Sequence, residues 1–171
     1  DLPDSKKARL PPQEEPPLVT GELRSQVDKV WSAFWSGGIA NPLEVIEQIT
    51  YLLFIKRLDD LHTLAESKAN LLGTPIENPV FPDGMDDTGR RPRPYSDLRW
   101  SRFKNFSAQE MYDVVEQNVF PFIRGLGAEG SSFAANMKDA RFTIPTAALL
   151  SKVVDLLAEN GLRRGENGLR V

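Results

Sequence analysis

The sequence predicts an all-α bundle of four to five helices, with one long Pro/Gly-rich loop and little or no β structure. Three observations carry this. Apolar residues recur at helical spacing in several segments, and no segment alternates apolar and polar residues convincingly as a half-buried strand would. Two helix-start signatures stand where such segments begin. The 13 prolines cluster within residues 1–17 and between Pro75 and Pro94, leaving only Pro42, Pro121 and Pro145 elsewhere.

Residues 1–19 are polar, charged and proline-rich, with no apolar period, and read as a disordered tail. The helical domain spans 20–159. Its first helix, over residues 22–35, places Leu23, Val27, Val30, Trp31 and Phe34 on one face and ends at Gly37-Gly38. Asn41-Pro42-Leu43-Glu44 opens the second. Asn41 accepts from a free backbone N–H, Pro42 takes the first helical position, where a missing N–H is harmless, and Glu44 is placed to bond back. This helix reaches about residue 65 and at most 72. Leu52, Leu53, Phe54 and Ile55 point to all sides, so it is expected at the centre of the bundle.

Residues 73–98 hold five prolines and three glycines, an unusually long interruption for a compact domain. Order resumes near Trp100. Ser107-Ala-Gln-Glu110 starts a helix that buries Met111, Val115, Val119 and Phe122, and Pro121 is expected to kink or restart it. Gly125, Gly127 and Gly130 mark a break, followed by a short helix over 131–138. The last helix, 145–159, buries Leu149, Val153, Leu156 and Leu157. Residues 160–171 read as a frayed end or a truncated linker.

At 171 residues the chain suits one domain with a real core and leaves no room for a large multidomain enzyme. The longest wholly apolar run, residues 52–55, is far short of the ~20 residues that span a bilayer, so no membrane partner is expected. No secretory signal opens the chain, and the expected location is cytoplasmic. The absence of cysteine excludes disulfides, thiolate zinc sites and cysteine nucleophiles. The net charge is −3, but Arg90, Arg91, Arg93, Arg99, Arg102 and Lys104 lie close together with only Asp97 against them. That stretch carries +5, so the rest carries −8.

These six cations, interleaved with Tyr95, Trp100 and Phe103, are the candidate DNA contacts. Arginines on a loop suit phosphates, which position a duplex without reading its sequence. The alternative is a solubilising loop that balances an acidic body. Arg57 and Asp60 sit three apart on the arc of Ile46, Ile49, Leu53, Leu61 and Leu64, so they are read as a buried structural ion pair, with a partner interface as the other reading. Trp31, Phe34, Trp35, Tyr51 and Phe54 are core by spacing rather than a stacking platform for bases. His62 reads as a surface or capping residue, and the doublets Asp59-Asp60 and Asp86-Asp87 as solvated acids. Gly125-Leu-Gly127-Ala-Glu-Gly130 matches a phosphate-binding pattern but follows a helix rather than a strand. No catalytic constellation and no metal site is expected.

Five pieces in one order resemble a known family. They are the segment 22–61, with Leu23, Val27, Val30 and Trp31 followed by Tyr51-Leu-Leu-Phe-Ile-Lys-Arg-Leu-Asp59; Leu98-Arg-Trp-Ser-Arg-Phe103; Val119-Phe-Pro-Phe-Ile123; Phe133-Ala-Ala-Asn-Met-Lys-Asp139; and Ile144-Pro-Thr-Ala-Ala-Leu-Leu-Ser-Lys-Val-Val154. Together they resemble the N-terminal helical domain of modification (M) subunits of type I restriction–modification DNA adenine methyltransferases, over about residues 21–157. The resemblance implies an accessory domain that helps clamp DNA. It packs on its own catalytic domain and meets the specificity subunit, a second M subunit and the restriction subunit. It also implies S-adenosylmethionine as cofactor of the full-length subunit and N6-adenine methylation as its reaction. The family's glycine-rich cofactor motif and its Asn/Asp-Pro-Pro-Tyr/Phe motif do not map onto this chain, so no catalytic or cofactor-binding residue is expected here and this chain alone should not methylate. A free-standing helical protein-interaction module without a DNA role is the competing expectation.

Overall fold

The computed structural model describes residues 21–129 and 134–169, with side chains for 24–129 and 134–158. The expected tail, 1–19, lies outside the described residues. Among the described residues there are six α-helices: α1 (Gly21–Ser36), α2 (Pro42–Leu72), α3 (Trp100–Phe103), α4 (Ala108–Val114), α5 (Phe120–Ala128) and α6 (Ala147–Leu169). The β structure is one antiparallel ladder, β1 (Met85–Asp86) against β2 (Arg93–Pro94), with Met85 opposite Pro94 and Asp86 opposite Arg93. The all-α bundle is therefore what the chain forms.

The predicted helix starts form. Asn41 Oδ1 accepts from Leu43 N–H at 3.0 Å, with Pro42 at the first turn, and Ser107 Oγ accepts from Glu110 N–H at 3.3 Å. Glu44 contributes its charge to the positive helix end rather than a bond back to Asn41. α2 continues past residue 65 to Leu72, closed by Gly73 in the left-handed conformation (φ 65°), and Thr74 N–H returns to the Ala69 carbonyl at 3.1 Å.

α6 packs on α1 and α4, α3 packs on α2, and α5 packs on a 3₁₀ turn at Ala135–Met137. Phe34, Leu52, Ile55, Leu98, Phe103, Met111, Phe120, Ile123, Ile144 and Leu150 are among the fully buried side chains. Trp31, Tyr51 and Phe54 pack on this core and Phe34 lies within it, whereas Trp35 is exposed. Val27 faces out as well, so among the side chains described the inner face of α1 starts at Val30.

α4 runs into α5 through a π-helical turn, Val115–Val119, so residues 108–128 are one unbroken helical run. Pro121 has no N–H to give to the preceding turn, and its ring crowds the carbonyl there. A wider turn just ahead of it relieves both. Contrary to expectation, Gly125 and Gly127 do not break the helix. Gly127 allows a close approach: a Cβ there would lie 2.4 Å from the backbone nitrogen of Lys138. Residues 130–133 lie outside the described residues, and the expected short helix over 131–138 is represented by the 3₁₀ turn.

The stretch 140–146 has no regular structure, so side chains satisfy its backbone. Gln48, buried in α2, donates through Nε2 to the Arg141 carbonyl (2.8 Å) and accepts from Thr143 N–H (3.2 Å). Tyr112 Oη donates to the Ile144 carbonyl (3.0 Å), and Arg124 to that of Ala140 (2.9 Å). α6 extends to Leu169, beyond the expected end at 159, so 160–169 is helical rather than frayed.

Arg57 and Asp60 are not a buried pair. Both are exposed, and no ion pair among the described residues joins them. α2 is apolar on more than one side, and the arc turned inward is Val45, Gln48, Leu52, Ile55, Asp59 and His62. The arc through Ile46, Leu53 and Leu64 faces out.

Candidate nucleic-acid interface

The basic stretch sits at the end of the long loop, and the loop is fixed to the body at two places. The first is aromatic. Phe81 is buried between His62 of α2 (ring centroids 5.5 Å) and Phe122 of α5 (5.4 Å, stacked). Phe81 N–H also donates to His62 Nδ1 at 3.4 Å. His62 is thus a buried mid-helix residue, not a surface cap, because α2 runs another ten residues beyond it.

The second is polar and centres on the π turn. Asp86 is buried and accepts from Asn118 Nδ2 at 2.7 Å and from Thr88 Oγ1 at 2.9 Å. One residue earlier, Gln117 Oε1 accepts from Arg90 N–H at 3.3 Å. Gly89 lies so close that a Cβ would come within 2.7 Å of Asn118 Oδ1. Two neighbouring amides therefore hold the tip of the ladder. Asp86 is correspondingly not a solvated acid. These positioning residues, Asn118, Gln117 and Gly89, were missed by sequence reasoning. The available signal was Asn118 itself, a polar residue seven positions after Met111 on the inward face of an apolar helix.

The six candidate cations then divide. Arg99 turns inward. Its Nε lies 2.6 Å from Asp59 Oδ1, its Nη1 2.8 Å from Glu66 Oε1, and its Nη2 donates to Thr63 Oγ1 at 3.0 Å. Asp59 also accepts from Ser101 N–H at 2.8 Å, so the start of α3 is clamped to α2. Burial would raise the Asp59 carboxyl, but the hydrogen bonds from Ser101 and Arg99 and the charge of Arg99 outweigh it and hold it below the usual carboxylate range. Burial likewise works against the charge on Arg99, and Asp59 and Glu66 overcome it and push its proton affinity up. Burial and the nearby Arg99 hold the His62 imidazole below its usual value, with Glu66, Asp59 and Asp83 opposing.

Arg93 is half-buried and bridges Asp97 (3.7 Å) and Glu110 (3.5 Å). Arg102 is mostly exposed and only loosely paired with Asp97 at 3.5 Å. Arg90 and Arg91, on the six-residue turn that joins β1 to β2, are exposed, and no ion pair among the described residues engages either guanidinium; the same holds for the half-buried ammonium of Lys104. The structure therefore leaves Arg90, Arg91 and Lys104 available to an external anion and commits Arg99 to the fold.

Among the described residues no group of three or more His, Asp or Glu is placed to hold a metal ion. Gly125 and Gly127 lie within a helix rather than on a turn that presents backbone N–H groups, and Gly130 lies outside the described residues. No helix among the described residues is long and apolar enough to cross a membrane.

Residues 23–157 match the family model described as the HsdM N-terminal domain. No curated protein and no solved structure matches the chain.

Proposed function

Because the chain belongs to the HsdM N-terminal domain family, and so is part of a type I restriction–modification methyltransferase M subunit, we propose that it is the accessory helical domain that helps clamp DNA for that enzyme. The observation that carries this reading is the ladder tip. Two arginines whose guanidinium groups have no ion-pair partner among the described residues stand on a turn anchored by Asn118 and Gln117, against a body that is otherwise acidic. A fixed pair of guanidinium groups suits phosphate contacts that orient a duplex. Methylating a base within DNA requires extruding it from the stack, and a duplex held on several sides tolerates that distortion better.

In this reading methyl transfer to adenine N6 and binding of S-adenosylmethionine belong to the catalytic domain of the full subunit. The helical domain packs on that domain and meets the specificity subunit, a second M subunit and the restriction subunit, in the cytoplasm of a bacterium or archaeon. This chain alone transfers no methyl group.

The test is Arg90→Glu with Arg91→Glu in the assembled methyltransferase. DNA affinity falls, and the slope of log affinity against log salt becomes shallower by roughly 2, one counterion per lost phosphate contact. Folding stability changes by less than about 0.5 kcal/mol, as for exposed unpaired side chains. An unchanged salt slope refutes the DNA role and leaves a protein-interaction module, a reading favoured independently by the exposed apolar face of α2.

A further inference from the structure

α2 turns a second, regular face to solvent. Leu43, Ile46, Leu53, Leu64 and Leu71 are 64, 53, 47, 68 and 88% exposed. Thr50, Arg57, Asp60 and Ser67, which lie between them, are exposed too. The nine positions 43, 46, 50, 53, 57, 60, 64, 67 and 71 alternate steps of three and four. That is the heptad spacing of a seam that receives a second helix, here about 42 Å long at 1.5 Å per residue.

The seam is complementary to itself when reversed. Set a second α2 antiparallel, with the two-fold axis passing between Leu58 and Asp59. Ile46 then faces the partner's Leu71, Thr50 the partner's Ser67, Leu53 the partner's Leu64, and Arg57 the partner's Asp60. These four layers, each repeated by the axis, match apolar with apolar, hydroxyl with hydroxyl, or cation with anion, and only Leu43 falls beyond the end of the partner's α2. On one flank Glu47 meets the partner's Lys68, and Phe54 meets the partner's Leu61. The symmetry repeats each contact, as an isologous interface requires. Within one chain Arg57 and Asp60 are joined neither to each other nor to any other ion-pair partner among the described residues, which leaves both charges for this use.

We propose that the outward face of α2 docks a second copy of this chain in an antiparallel two-fold pair. An unrelated partner would also cover the leucines, but it would not require the charges and hydroxyls to fall into register with their own reversed copy. The inference rests on the meeting with a second M subunit in the proposed function and names its surface; it does not depend on the DNA contacts. Failure of the Arg90 and Arg91 test leaves it intact, and its own failure leaves the DNA-clamp reading intact.

The experiment is sedimentation of the full chain over a wide concentration range, with two charge reversals whose folding is checked by circular dichroism. Arg57→Glu and Asp60→Lys each place like charges across the axis twice, and each weakens self-association by roughly tenfold or more. An equimolar mixture of the two variants restores association, because the mixed pair has opposite charges at both crossings. The chain has no cysteine, which allows a check of register. Leu53→Cys mixed with Leu64→Cys forms a disulfide-linked dimer on oxidation. Neither variant does so alone, since like positions lie about 16 Å apart along the axis. A chain that stays monomeric throughout, and yields no more cross-link from the mixture than from the single variants, overturns the proposal and assigns the face to another partner. Association that ignores the reversals, or is not restored by mixing, overturns it equally.

Discussion

Arg91 and Arg99 stand in the same basic stretch, yet they meet opposite surroundings. Arg99 is held by Asp59, Glu66 and Thr63 and ties α3 to α2. Arg91 is exposed on a turn with no carboxylate at its guanidinium among the described residues. The difference teaches that a run of cations in sequence is not one site. Its inner half consumes its charge in holding the fold, and its outer half has charge left for a partner. Arg93 and Arg102 lie between these extremes, the first bridging two acids and the second mostly solvated.

The largest expected effect tests the inner half. Asp59→Ala leaves Arg99 with only Glu66 and Thr63, and leaves Ser101 N–H without its acceptor. Stability falls by roughly 2–3 kcal/mol, below the range for a fully buried broken pair because Arg99 retains some solvent. In a chain of this size the thermal midpoint drops on the order of 5–10 °C, measured by calorimetry. If Asp59→Ala moves the midpoint no more than Arg91→Ala does, the two halves do not differ as described.

A smaller effect is expected where the loop meets the π turn. Asn118→Leu keeps the side chain's branching and heavy-atom count but removes the donor to Asp86 and leaves that buried carboxylate to Thr88 alone. The loss is about 1–2 kcal/mol, and hydrogen exchange should show it as faster opening over residues 80–92 with α1 and α6 unchanged. Uniform acceleration throughout the chain would mean that the contact stabilises the whole domain rather than the placement of Arg90 and Arg91.

Local signals were legible in the sequence and long-range ones were not. Asn41-Pro42 and Ser107 announce helix starts because a cap acts within three residues. The inner faces of α4 and α6 follow from periodicity because each has one apolar side. α2 has more than one, so its spacing could not say which side is buried, and the arc chosen by sequence, through Arg57 and Asp60, is the outer one. Asp59 and Asp60 differ by one residue, or 100° on a helix. Asp59 is the buried acid because Arg99 and Ser101, some forty positions later, come to rest beside it. The six candidate cations were visible as a group, but their division depends on Asp59, Glu66 and Glu110, which no local pattern connects to them.

Acidification provides the smallest and most selective separation of the two halves. His62 has a folded-state proton affinity below the ordinary 6.5, so as the pH falls the unfolded chain takes up its proton first. The stabilisation from neutral His62 is full above about 6.5, falls as the pH drops from there to the folded-state value, and then levels off. Asp59 has a carboxyl held below 3.8, and its contribution persists until the pH falls beneath that value, so the two losses begin at different pH. His62→Asn keeps an acceptor near the position of Nδ1 for Phe81 N–H but does not titrate there. It should flatten the stability profile just below pH 6.5 in calorimetric scans and leave the more acidic descent in place. A wild-type profile that is flat from pH 7 to 5 would mean that His62 is protonated equally well in the folded chain, and the inner half would then lack the dry, Arg99-facing environment that sets it apart.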